Sequence, residues 1–265
     1  SRRQRQMCIR DRYSRRGIRA APHPLKPFIM KHILVIFLLV CGIVSAGAQP
    51  KFVNVKREAP DLKLIKKQIE DRTSPYYYPR LMEEYQRNDT AMKIDKFRHL
   101  YLGYMFQEDY NPYRPSVIES DIDPRLLDKG ELSRQECDSV IARAQFELQN
   151  KPFDLMQMSN LIKALKLKGK SNLAKIWQYK LDYILMAIVS TGTGADEENA
   201  WYVIEPQHEY VLLNAMGYIV TNHLFYEPYY EYLTVSTPQK AKAGGYYFNI
   251  RTVLEEYYRK FPEEL

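Results

Sequence analysis

Cysteine and histidine are scarce. The 265-residue chain has three of the first and five of the second. Cys8 and Cys41 fall in segments set aside below, so Cys137 stands alone and an internal disulfide is excluded. A lone Cys within a helical pattern reads as a small buried hydrophobe. The fold must then rest on its core, which roughly 217 residues are enough to build. Catalytic signatures are missing too. There is no His-Glu-x-x-His to place two imidazoles on one helix face for zinc, and no Gly-x-Ser-x-Gly elbow for a nucleophilic serine. Long apolar runs are lacking: Ile33 to Val44 is about a dozen residues, short of the ~20 that span a bilayer.

That run has a different use. Met30-Lys31-His32 precedes it and Ser45-Ala-Gly-Ala48 follows. A basic start, an apolar middle and an Ala-x-Ala exit form a secretory signal over 30–48, with cleavage expected after Ala48. The competing reading is a lipoprotein anchored through Cys41, in Leu38-Leu-Val-Cys41. Val40 is bulky where a small residue is expected, which speaks against it. A periplasmic or secreted protein is expected, with no stable membrane span after cleavage.

Upstream, Ser1 to Tyr13 resembles translated sequencing-adapter read-through, on the hexamer Met7-Cys-Ile-Arg-Asp-Arg12. Its alternative is a basic arm for nucleic acid. Residues 1–29 are expected to be a spurious or disordered extension. Setting 1–48 aside reverses the charge. Of 39 basic and 32 acidic residues in the chain, that segment holds 10 and 1, leaving 29 against 31 and a net of −2. No basic footprint for nucleic acid remains.

The rest reads as a polar arm over 49–60 and a single α+β domain over 61–265, helical to 190 and sheet-rich from 199. Asp61 is placed to cap a helix with Leu62, Ile65 and Ile69 on one face. Ser74 to Pro79 forms an aromatic turn, and Arg80 to Gln86 a short helix. Asn88-Asp-Thr90 offers a cap for Ala91 to Phe106. Glu108 to Pro115 cannot continue it. Ser116 to Gly130 reads as a loop with one helical turn near Leu127. Ser133-Arg-Gln-Glu136 is a capping box for a helix to Gln149. Leu155 to Leu167 and Asn172 to Val189 follow after short turns, packed antiparallel. Their arrangement is repeat-like and resembles a tetratricopeptide unit, without a second copy at a period of about 34. Strands are expected over 200–204, 229–237 and 246–250. Glu209 to Leu213 and Tyr218 to Leu224 are open between helix and strand. A short helix, Thr252 to Lys260, ends the chain.

Few residues invite a chemical role. Gly192-Thr-Gly194 is not followed by Gly-Lys-Ser/Thr and reads as a flexible connector, not a phosphate loop. Asp121-Ile-Asp123 lacks the later ligands of a calcium loop. His99, His208 and His223 show no mutual ligand spacing. His208-Glu209 would point to opposite faces if strand. No catalytic residue, metal site or cofactor is therefore expected. Tyrosine is the one excess, with 22. Ring burial explains most, while loop rings reach solvent more readily. Tyr104, Asp109, Tyr110 and Tyr113 are the binding candidates, in a cleft between this turn and the C-terminal sheet.

The chain also resembles the family called domain of unknown function 4919. The resemblance rests on Tyr101-Leu-Gly-Tyr104 with Tyr110-Asn-Pro-Tyr113, and on Asn150-Lys-Pro-Phe-Asp154. Thr191-Gly-Thr-Gly194 before Ala200-Trp-Tyr-Val203, Glu209-Tyr210 and Tyr247-Phe-Asn-Ile250 extend it. It covers about Val55 to Tyr258 and implies an exported protein of Bacteroidetes-type bacteria, with no activity attached. The first expectation is a binding or interaction module for a protein or glycan. The alternatives are an envelope- or polysaccharide-directed hydrolase, with carboxylates such as Asp109 and Glu209 gathered from distant positions, and a structural envelope scaffold.

Overall fold

Side-chain caps set the helix starts. In the computed structural model Asp61 Oδ1 accepts from Leu64 N at 2.9 Å and opens α1 (Leu62–Glu70), which buries Ile65 and Ile69. Residues 55–115, 124–238 and 240–264 are described. The expected extension, signal peptide, the first half of the polar arm and Asp121-Ile-Asp123 lie outside them. Pro50–Phe261 is one compact unit; of a second, the described part is the 3-10 turn Pro262–Glu264.

Helix α2 (Tyr78–Gln86) starts at Tyr78, since Pro79 has no N–H to satisfy in the first turn. Helix α3 (Ile94–Gly103) is shorter than its periodicity suggests. Asp89 does not cap it: its Oδ1 holds Ala91 N at 2.8 Å in a turn, and Lys93 takes the cap position. Gly103 is where α1 and α2 close on α3, because a Cβ there would lie 3.1 Å from the Ile69 side chain and 3.3 Å from Tyr78. The chain then tightens into a 3-10 turn, Tyr104–Phe106.

After α4 (Pro124–Lys129) come α5 (Arg134–Asn150), α6 (Leu155–Leu167) and α7 (Ser171–Val189). Both halves of the capping box form: Glu136 N donates to Ser133 Oγ at 3.2 Å and Ser133 N to Glu136 Oε2 at 2.8 Å. Asp154 caps α6 through Gln157 N at 2.9 Å. Short turns fold α6 back onto α5 and α7 onto α6, while α3 lies on α7.

The sheet region begins at β1 (Trp201–Tyr202) and continues through α8 (Gln207–Ala215), β2 (Ile219–Tyr226), β3 (Tyr230–Thr237), β4 (Lys240–Asn249) and α9 (Arg251–Lys260). The strand order is β1-β4-β3-β2. β1 runs parallel to β4 and the other pairs are antiparallel. The architecture is α+β, helical first and closed by a small mixed sheet and a short helix. The strand expected over 200–204 shrinks to two residues, because Pro206 starts α8 instead. Glu209 to Leu213 is helix, and Tyr218 to Leu224 falls mainly in β2.

Thr191 to Gly194 is a packed joint and not a loose connector. Thr193 N and Gly194 N both donate to Asn199 O, at 2.9 and 2.8 Å. Trp201 Nε1 donates to Gly192 O at 3.0 Å, and Tyr202 N to Thr191 Oγ1 at 2.9 Å. A Cβ on Gly192 would lie 2.3 Å from Asn199 O, and one on Gly194 (φ 70°) would lie 2.9 Å from the Trp201 ring. The glycines are there for close approach.

Candidate functional site

The four candidate residues part company. Tyr110 is buried (1 % exposed) and its hydroxyl donates to Ile204 O at 2.6 Å. The reason lies far along the chain: Lys260 Nζ donates to the carbonyls of Gln107 and Tyr110, pulling this turn inward. The Tyr113 ring stands edge-on to Tyr257, centroids 4.7 Å apart. Tyr104 and Asp109 stay together, with Tyr104 Oη donating to Asp109 Oδ2 at 3.0 Å. Burial, and then the Asp109 carboxylate, hold the Tyr104 phenol well above its ordinary range.

These two residues border a cleft of about 770 Å³. Its lining comes from α2, the Tyr104 turn, α5 and α7, and includes no sheet residue, so the concavity does not lie against the C-terminal sheet as expected. Amphipathic packing accounts for it. Tyr78 and Tyr85 turn inward from α2, where they are buried, and Trp177 and Lys180 face them from α7. Lys180 Nζ sits 4.3 Å from the Tyr85 ring centroid and 4.7 Å from that of Trp177. Two ring faces thus hold the ammonium, and burial lowers its pKa to about 8. The Tyr78 hydroxyl, buried on the cleft wall, has no hydrogen-bond partner. Gln86, Gln145 and Gln149 add exposed carboxamides.

A second polar group lies where α3, α6 and α8 meet. Ile204 N donates to Tyr101 Oη at 3.2 Å, and the same hydroxyl is hydrogen-bonded to His208 Nδ1 at 2.8 Å. Beside it Lys151 pairs with Glu205 at 2.9 Å, both side chains under a tenth exposed. Burial raises the Glu205 carboxyl to about 7 in spite of Lys151. Burial, helped by the Lys151 charge, lowers His208 to about 3. Every member is enclosed, and the network ties the helical region to the start of α8.

A third group is the one that sequence reasoning missed. Glu209 on α8, His223 on β2 and Glu231 on β3 bring one ligand atom each within 4.8 Å of one another. Residues 208–209 are helix, and α8 turns Glu209 onto the sheet. On β2 and β3, His223 pairs with Leu233 and Glu231 with Phe225. In an antiparallel pair, partners share a face and alternate residues do too, so His223 and Glu231 share the face of buried Leu233 and Val235. The available signal was that Glu231 has the same parity as Leu233 and Val235 in a strand pattern. His223 Nε2 is 3.4 Å from Glu231 Oε1. Tyr210 Oη lies 3.2 Å from His223 Nδ1. Glu209 is fully buried, and neither of its oxygens has a hydrogen-bond partner. Burial, and then the Glu231 charge, push its carboxyl well above the ordinary range.

The family model described as Domain of unknown function (DUF4919) matches residues 63–259. The chain belongs to that family. The match takes in all three groups, from Tyr78 of the cleft to Glu231 of the sheet. No curated protein and no solved structure matches the chain.

Proposed function

We propose that this is an exported binding module whose helical cleft takes a glycan with an acidic group. The observation that carries the reading is the cleft wall itself: a buried Tyr78 hydroxyl without a partner beside an ammonium held between two ring faces. A flat, half-apolar sugar ring suits Trp177 and the tyrosines. Its hydroxyls suit the glutamine carboxamides, and a carboxylate or sulfate suits Lys180. Support for export comes from the signal-like segment 30–48 alone. No helix among the described residues is long and apolar enough to cross a membrane.

The hydrolase alternative needs two carboxylates facing the substrate. Asp109 is the one carboxylate on the cleft's lining, and Glu209 is elsewhere, so the geometry favours binding over hydrolysis.

Calorimetry of the protein starting at Gln49, against a panel of neutral and acidic oligosaccharides, tests this. Saturable binding of an acidic member is expected. Trp177→Ala should weaken it about tenfold, the value of one good aromatic contact, with the melting transition retained. A folded protein that binds no member, or binding untouched by Trp177→Ala, contradicts the reading.

A further inference from the structure

Two buried carboxylates face each other across the α8–sheet interface, and no lysine or arginine pairs with either among the described residues. Water cannot solvate Glu209, which is fully buried, and no donor reaches its oxygens. An ionised carboxylate in that setting is costly, and a second one close by adds repulsion. Two kinds of guest relieve it: a proton shared by the pair, or a cation. The imidazole decides between them. A proton shared by the carboxylates leaves His223 Nε2 facing Glu231 Oε1 at 3.4 Å without a hydrogen bond. A divalent ion uses all three.

We propose that Glu209, His223 and Glu231 are a binding site for a divalent transition ion of the Zn²⁺ class. Two carboxylates and a neutral imidazole carry two negative charges, which such an ion balances. One nitrogen with two oxygens suits zinc and its neighbours better than calcium, which takes six to eight oxygens. Tetrahedral bonds of about 2.0–2.2 Å set ligand atoms about 3.4 Å apart. His223 Nε2 and Glu231 Oε1 already stand at 3.4 Å, and the Glu209 oxygen is within 4.8 Å of both, so a side-chain rotation closes the set. Tyr210 Oη at 3.2 Å from Nδ1 supplies the outer partner that orients a ligating imidazole. The His223 side chain is 27 % exposed overall, while its Nε2 is buried and faces Glu231. Bound there, the ion clamps α8 to β2 and β3.

The test strips the full chain with a chelator, removes the chelator, and titrates Zn²⁺ alone, following heat and melting temperature. One equivalent is expected to bind, with a rise in melting temperature set by mass action. Glu209→Gln and His223→Gln should each lower affinity by more than about 100-fold. Tyr210→Phe, which removes only the outer hydroxyl, should lower it about tenfold. Circular dichroism identifies any variant that fails to fold. If Glu209→Gln fails, the His223→Gln and Tyr210→Phe comparison still decides. Folded wild type that takes up no Zn²⁺ means the carboxylates share a proton, and overturns the proposal. Uptake that persists unchanged in His223→Gln overturns it equally.

Discussion

The helical and sheet regions bury charge in opposite ways. On the helical side Lys180 is enclosed by two ring faces, and Lys151 by the Glu205 carboxylate. Lys151 has its counter-charge within the chain, whereas Lys180 has ring faces but no carboxylate, and burial lowers its pKa. On the sheet side Glu209 and Glu231 are brought together with no lysine or arginine beside them among the described residues, and only His223 faces Glu231, at 3.4 Å. The lesson is that burial alone does not mark a site. An enclosed charge that the chain itself satisfies belongs to the fold, and one that it leaves unsatisfied points to something from outside.

Breaking a compensated charge should have the largest effect. Lys151→Met leaves Glu205 buried and alone, and should cost about 3–5 kcal/mol in urea denaturation. A loss near zero would mean Glu205 is already neutral and the pair contributes nothing. Next comes the joint between the two regions. Gly192→Ala forces a Cβ to within 2.3 Å of the Asn199 carbonyl. Overpacking against backbone should cost about 1–3 kcal/mol, read from the shift in the denaturation midpoint. Tyr101→Phe removes the hydroxyl that bonds His208 Nδ1 and accepts from Ile204 N. It should cost about 1–2 kcal/mol, by the same measurement.

A further effect concerns pH. Burial depresses the Lys180 pKa to about 8 from an ordinary 10.5. Between those values the unfolded chain holds a proton that the folded chain has lost, so stability from this group rises with pH across that window. Below about pH 8 both states hold the proton and the cost of burying the charge is constant. Lys180→Met should remove this rise, so that the stability difference between wild type and variant changes from pH 8 to 10 and is flat from pH 6 to 7. A difference flat over the whole range would show that the ring faces hold the charged form fully.

Local signals were legible, and distant ones were not. The Ser133-Glu136 box, the Asp154 cap and the Asp61 cap each act within three residues, and each forms as its spacing requires. Tyr110 misled because its turn looked like surface. Its burial depends on Ile204 and Lys260, far away in the chain. The cleft has the same character: Tyr78, Asp109 and Lys180 are separate amphipathic signals until α2 and α7 face each other. Glu209, His223 and Glu231 come from three elements, and the first sat in a segment open between helix and strand. There the face that a side chain takes depends on which period wins. Only the parity of Glu231 with Leu233 and Val235 hinted at an inward acid.

The chain has two tryptophans, one to each region, Trp177 on the cleft and Trp201 packed against Tyr246 and Phe248. A fluorescence titration with an acidic oligosaccharide, run on wild type and on Trp177→Phe, tests the assignment of glycan binding to the helical cleft most directly. The expected result is a saturable change in wild type that disappears in Trp177→Phe. A signal that survives in Trp177→Phe, and so reports from Trp201, would place binding elsewhere and contradict the account.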